Sequence, residues 1–188
     1  MKKFLLAILA LLLSGNLSVS AQEQSDAPQV SEHKILIAYY SISGNTEKVA
    51  KAIQKRIGGE LFRIETLKEY PEDYEDLVAE AKQEINKKYR PQLKKGVSDI
   101  SQYDTIFIGS PNWWGTITPA VSSFLTSYNL SGKTIVPFIT HGSGGVQNTI
   151  KDLTAQCEGC NVVQNGWAGF RDRTLGVAGW LEELGYLK

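Results

Sequence analysis

The chain has 188 residues carrying 20 basic and 20 acidic side chains, a formal net charge of zero. That balance offers no basic footprint for nucleic acid. At 42% hydrophobic residues, a chain of this length can bury one full core.

The first 21 residues read as a targeting segment. Lys2-Lys3, an apolar run from Phe4 to Leu13 and Val19-Ser20-Ala21 match a secretory signal peptide with a small-residue cleavage site. Ten apolar residues are about half of what a bilayer crossing needs, so no stable membrane insertion is expected after signal removal. The first cysteine is Cys157 and no Arg-Arg pair occurs, which argues against a lipidated N-terminus and the twin-arginine route. Cleavage after Ala21 leaves 167 residues; without Lys2 and Lys3 the basic count falls from 20 to 18 against 20 acids, a net charge of −2. The expectation is an exported protein, periplasmic or extracellular. Residues 22–33 are polar and include Pro28, as in a flexible lead-in. Residues 34–188 form the domain.

Within it, short apolar runs alternate with helical patterns. Lys34–Tyr40 reads as strand one and Thr46–Ile57 as helix one, with Val49, Ala52, Ile53 and Ile57 on its inner face. Glu60–Thr66 alternates more and reads as strand two, near an edge. Pro71 to Tyr89 looks helical, with Tyr74, Leu77, Val78, Ala81 and Ile85 as its stripe; Tyr74 reads first as core-facing and otherwise as a cap over the ligand end of the sheet. Thr105–Gly109 is strand three, Pro119–Tyr128 a helix opened by proline, and Lys133–Thr140 strand four. Val146–Gln156 is a helix, Asn161–Gly169 strand five, and Leu175–Leu184 the closing helix. Strands alternating with helices predict an α/β doubly wound three-layer sandwich around a five-stranded parallel sheet.

Ligands of such sheets sit at the carboxyl ends of the strands, and three loops there are unusual. After strand one, Ser41-Ile42-Ser43-Gly44-Asn45-Thr46 combines three hydroxyls with a glycine turn, and Asn45 or Thr46 can cap the helix. Donors gathered at a helix N-terminus bind a phosphate dianion. No Lys or Arg lies between Ile35 and Glu47, so backbone N–H groups and hydroxyls would neutralise it. The loop is neither G-x-G-x-x-G nor G-x-x-x-x-G-K-[ST], which argues against a dinucleotide fold or an NTPase.

After strand three comes Pro111-Asn112-Trp113-Trp114-Gly115-Thr116. Two adjacent indoles on a short turn cannot both enter one core; an exposed one suits stacking on a planar ligand, and Gly115 permits close backbone approach. After strand four, His141-Gly142-Ser143-Gly144-Gly145 can present several N–H donors to a ring edge, and His141 is either a donor there or a plain loop residue.

The first two loops resemble those of the flavodoxin family, over about Lys34 to Gly185. The resemblance implies non-covalent FMN, with its phosphate on Ser41–Thr46 and its isoalloxazine along Asn112, Trp113 and Trp114. It also implies strand order 2-1-3-4-5 and redox chemistry by one-electron or hydride steps. Tyr70-Pro-Glu-Asp-Tyr74 and Arg90-Pro91 resemble the same subfamily's insert. A surface near −2 departs from the strongly acidic surfaces common in the family and predicts a less depressed low-potential couple.

Two functions follow. One is an FMN-binding electron-transfer protein serving a redox partner protein or a small-molecule acceptor. The other is an FMN-dependent NAD(P)H:quinone or azo-type oxidoreductase. The chain has no nicotinamide fingerprint, which favours the carrier; a flavin-free module is the third class. Cys157 and Cys160 read first as a small-loop disulfide, next as free thiols and last as a redox partner to the flavin. Arg171 or Arg173 either attracts an anionic substrate or pairs with Asp172.

Overall fold

A computed structural model describes residues 34–187. The expected signal peptide and lead-in lie outside the described residues, as does Lys188. β1 (Ile35–Tyr39) leads into α1 (Asn45–Ile57), then β2 (Glu60–Arg63) and, after a longer excursion, α2 (Tyr74–Asn86). β3 (Thr105–Pro111), α3 (Pro119–Thr126), β4 (Thr134–His141) and α4 (Thr149–Ala155) follow. β5 (Asn161–Val162), β6 (Trp167–Phe170) and α5 (Val177–Glu183) complete the domain.

The sheet is parallel with order β2-β1-β3-β4-β5, as the resemblance implied, and β6 also pairs with β4. β1, β3 and β4 are buried on both faces, which is why they read as continuous apolar runs. Alternate side chains feed two cores. Leu36, Ala38, Ile106, Ile108 and Ile135 meet α3 through Val121 and Phe124. Ile37, Phe107, Val136 and Phe138 meet α1 and α5 through Val49, Ile53, Trp180 and Leu181.

The last strand corrects the sequence reading. Asn161–Gly169 is broken into β5 and β6 around Gln164-Asn165-Gly166. The cause is Pro137 in the neighbouring strand. The carbonyls of Lys133 and Ile135 accept from Asn161 and Val163 at 2.9 Å each, so the odd residues of β4 face this edge. Pro137 therefore faces it too and has no N–H to give. Gly166 passes this point closely; a Cβ on it would meet the Pro137 carbonyl oxygen at 2.9 Å.

α2 differs as well. Its N-terminus is capped by Asp73, whose carboxylate accepts from the Glu75 and Asp76 N–H groups. Of its expected core stripe only Ala81 is buried, and Tyr74 is 75% exposed. The stripe is half-buried because it lies beside the ligand-side loops rather than against the sheet. Cys157 and Cys160 form a disulfide that clamps the turn between α4 and β5. No helix among the described residues is long and apolar enough to cross a membrane.

Candidate functional site

The ends of β1, β3 and β4 open into one cleft of about 630 Å³. Ser41, Ile42, Ser43, Asn45, Thr46, Pro111, Asn112, Trp113, Trp114, His141 and Gly142 all line it, joined by Thr140 and Arg171.

At its inner end, Gly44 sits at φ 82°, a left-handed turn that favours glycine, and is the N-cap of α1. This corrects the expected side-chain cap: Asn45 and Thr46 are already helical, and no side chain caps α1. The first-turn N–H groups thus have no intrahelical acceptor and face the cleft's end, where the helix dipole favours an anion. Ser41 is buried, and its Oγ has no hydrogen-bond partner among the described residues. Thr46 is also buried and shares a hydroxyl–hydroxyl bond of 2.8 Å with Thr140 at the end of β4. Glu47, the acid of this first turn, is held away by Lys51 at 2.5 Å and Arg63 at 2.9 Å. The Lys51 hydrogen bond chiefly keeps its carboxyl below the ordinary range. Arg63 donates its other nitrogen to the Ser41 carbonyl at 2.9 Å, placing a guanidinium behind a loop that contains no cation of its own.

The β3 loop is a tight two-residue turn. Trp113 and Thr116 exchange both backbone hydrogen bonds at 3.0 Å, with Trp114 at φ 53° and Gly115 at φ 86°. Positive φ at both central positions marks a type I′ turn. Gly115 serves this turn and Thr116 closes it; neither lines the cleft. Asn112 braces the turn, accepting from the Gly115 N–H at 2.9 Å and donating to the Gly145 carbonyl at 2.7 Å. The two indoles part as the sequence required. Trp113 is half-buried, edge-on to Tyr40 at 5.7 Å and Tyr70 at 5.2 Å. Trp114 is 53% exposed and donates its indole N–H to the Val78 carbonyl of α2 at 3.1 Å. Tyr74, Leu77 and Val78 of α2 form the facing wall.

Behind Trp113, the Tyr70 hydroxyl donates to Glu84. Burial is the largest cause raising the Glu84 pKa above its ordinary value of 4.5. A raised folded pKa favours folding below the unfolded value, and that contribution is lost as pH rises through the folded one. Glu84→Gln keeps an acceptor for Tyr70 without the charge. Its stability relative to wild type should rise from pH 4 towards neutrality, read as the urea midpoint against pH; a constant difference counts against this.

In the third loop, His141 and Gly142 line the cleft while Ser143, Gly144 and Gly145 do not. Gly145 instead accepts from Asn112. The His141 Nδ1 is buried without a partner among the described residues, and its ring meets Phe170 edge-on at 6.2 Å. Arg171, at φ 51°, donates its backbone N–H to the His141 carbonyl at 2.8 Å. Asp172 pairs with Lys48 at 2.6 Å, and the Arg173 guanidinium adds a smaller electrostatic attraction.

A flavodoxin family model matches residues 34–184. The chain belongs to the flavodoxin family. A candidate flavoprotein of Bacteroides eggerthii has a crystal structure 29% identical to this flavodoxin, with TM-score 0.71 over 81% of this chain and 98% of that one. A Lactobacillus acidophilus flavoprotein crystallised with FMN is 27% identical, with TM-score 0.66 over 79% of this chain and 98% of that one. An NAD(P)H dehydrogenase (quinone) of Paraburkholderia phymatum is 28% identical over 127 residues; the match spans 62% of this chain and 62% of that relative.

The cleft of this flavodoxin suits a phosphate carried on a flat ring. An unpartnered buried hydroxyl and free helix N–H groups stand at one end, and an aromatic wall stands along the side. Arg63 was missed in the sequence because its relation to Ser41 arises only when β2 pairs beside β1. The signal available was a basic residue at the ligand end of that strand.

Proposed function

We propose that this flavodoxin is an electron-transfer protein of the cell envelope, taking electrons from one redox partner and passing them to another. FMN is the cofactor, and when bound it supplies one-electron and hydride chemistry. The single observation that carries the reading is the buried, unpartnered Ser41 hydroxyl beside the uncapped start of α1. The protein's own work is to anchor and orient. Ser41, Ser43, Thr46 and the first-turn N–H groups hold the phosphate. Asn112, Trp113 and Trp114 would lie along the ring, and His141 and Gly142 would be available to its polar edge. Export is supported by the Lys2–Ala21 pattern and is compatible with the Cys157–Cys160 disulfide.

The test is to load the purified protein with FMN, then follow photoreduction and NAD(P)H oxidation by absorbance. A carrier gives a yellow complex, stepwise one-electron reduction and negligible nicotinamide turnover. Steady NAD(P)H oxidation with a quinone would instead favour the oxidoreductase reading, which the relative named NAD(P)H dehydrogenase (quinone) keeps in view. Absence of FMN binding would refute both.

Thr140 supplies a further check. Its hydroxyl is the partner that orients Thr46 from 94 residues away. Thr140→Val should weaken FMN about tenfold, the worth of one hydrogen bond at about 1.4 kcal/mol. Riboflavin, which has no phosphate, should be little affected, and Thr140→Ser should restore FMN. Equal losses for both flavins would make Thr140 a packing residue only.

A further inference from the structure

Trp113 lines the cleft, and a second cavity of about 840 Å³ lies between α2 and the chain on either side of that helix. Tyr70 lines this second cavity and stands edge-on to Trp113, ring centres 5.2 Å apart. Two touching rings therefore lead from one opening to the other. The Tyr70 hydroxyl donates to Glu84, which lines the same cavity. Burial is the largest cause raising the pKa of both groups. The phenol thus keeps its proton at rest, and the carboxylate beside it is a stronger base than an exposed one. Lys68, also in the cavity wall, pairs with Glu80 at 2.6 Å and is a minor influence on Glu84. Tyr40 is the other phenol against Trp113, at 5.7 Å; it is buried and its hydroxyl makes no hydrogen bond among the described residues. Neither phosphate anchoring nor placement of the ring uses the Tyr70–Glu84 pair.

We infer that Tyr70 and Glu84 form a proton-coupled redox site that refills an oxidised Trp113 and carries the oxidising equivalent to the second cavity. An oxygen-derived radical in the cleft takes one electron from the Trp113 indole, whose N–H proton passes to water. Tyr70 then gives one electron to the indole, which regains a proton from water. The Tyr70 phenolic proton moves along the existing hydrogen bond to the Glu84 carboxylate. A phenol that sheds its proton with the electron is easier to oxidise than an indole, so the step runs from Trp113 to Tyr70. A small enediol reductant in the cavity supplies one electron to the Tyr70 radical, and Glu84 returns the proton. The net change is one electron from reductant to oxidant, with all three side chains restored. Tyr40 cannot substitute, because a buried phenol without an acceptor has nowhere to send its proton.

The test uses the purified protein without flavin, at about pH 8, well above the ordinary glutamate range. A Trp114→Phe background removes the exposed neighbouring indole; Trp167 and Trp180 are buried, so azide radical made by pulse radiolysis oxidises Trp113. Transient absorption should show the indolyl band decaying as the tyrosyl band grows, at one rate independent of protein concentration. Tyr70→Phe should slow that growth about tenfold or more, and so should Glu84→Gln, which keeps an acceptor but removes the base. Tyr40→Phe should leave the rate unchanged, and added ascorbate should shorten the tyrosyl lifetime in proportion to its concentration. Urea midpoints confirm that each variant is folded. A rate unmoved by Tyr70→Phe overturns the inference, as does tyrosyl growth at full speed in Glu84→Gln. Equal slowing by Tyr40→Phe and Tyr70→Phe overturns it too, since loss of packing around Trp113 would then be the cause. Should Tyr70→Phe not fold, Glu84→Gln against Tyr40→Phe decides alone. No arm needs FMN, so failure here leaves the cofactor and carrier readings standing, and their failure leaves this result readable.

Discussion

Ser43→Asp should lower FMN affinity by about a thousandfold. Ser43 is exposed, lines the cleft and stands immediately before the Gly44 N-cap. A carboxylate there lies against the place where the phosphate meets the first turn of α1. Two like unit charges about 4 Å apart repel by about 4 kcal/mol at an effective dielectric near 20, or about three powers of ten in affinity. Ser43 contributes nothing to the core, so the fold should survive; an acidic side chain near a helix start is tolerated in the absence of an anion. Fluorescence titration with FMN and riboflavin measures the effect. Riboflavin affinity should change far less, and unchanged FMN affinity would remove the phosphate from this loop.

Gly109→Ala should destabilise the protein by about 2–3 kcal/mol through overpacking. Gly109 pairs directly with Phe138 of β4. A Cβ added to it would fall 2.3 Å from the Phe138 ring and 2.9 Å from the Tyr39 Cβ. Phe138 is fully buried, so its ring has nowhere to go without disturbing α1 and α5. Phe138→Ala alone should cost about 3–5 kcal/mol by leaving a cavity. In that background Gly109→Ala should cost less than in the wild type, because the clash with the ring has gone and only that with the Tyr39 Cβ remains. Urea unfolding of the four proteins closes the cycle. Strict additivity would mean that the glycine is present for another reason.

Much of the fold was legible because its determinants are local. The runs Leu36–Tyr39 and Ile106–Ile108 are short and apolar at every position, the pattern of strands buried on both faces, and all of these residues are buried. Pro119 announced the start of α3, and the structure adds Thr118 as its cap. The misreadings were set by partners distant in sequence. The break between β5 and β6 depends on a proline in β4, invisible from the segment itself. Tyr74 has the right spacing for a core stripe, but the core beneath that part of α2 is the cleft. The loops were recognisable as a binding constellation from their hydroxyls, indoles and glycines. Which of those residues would brace the others was not. Asn112, Gly115 and Gly145 support the turn, and the Thr46–Thr140 contact joins segments that only the sheet brings together.

The proline in β4 has a consequence beyond topology. A parallel sheet that ended in one unbroken outer strand would offer a long row of unpaired N–H and C=O groups, a template for a strand from another molecule. Here that border is interrupted, with two residues of β5 and four of β6 separated by Val163, Gln164, Asn165 and Gly166. Neither piece is long enough to seed an extended ladder. The omission of one backbone donor at Pro137 therefore guards this side of the molecule against edge-to-edge aggregation.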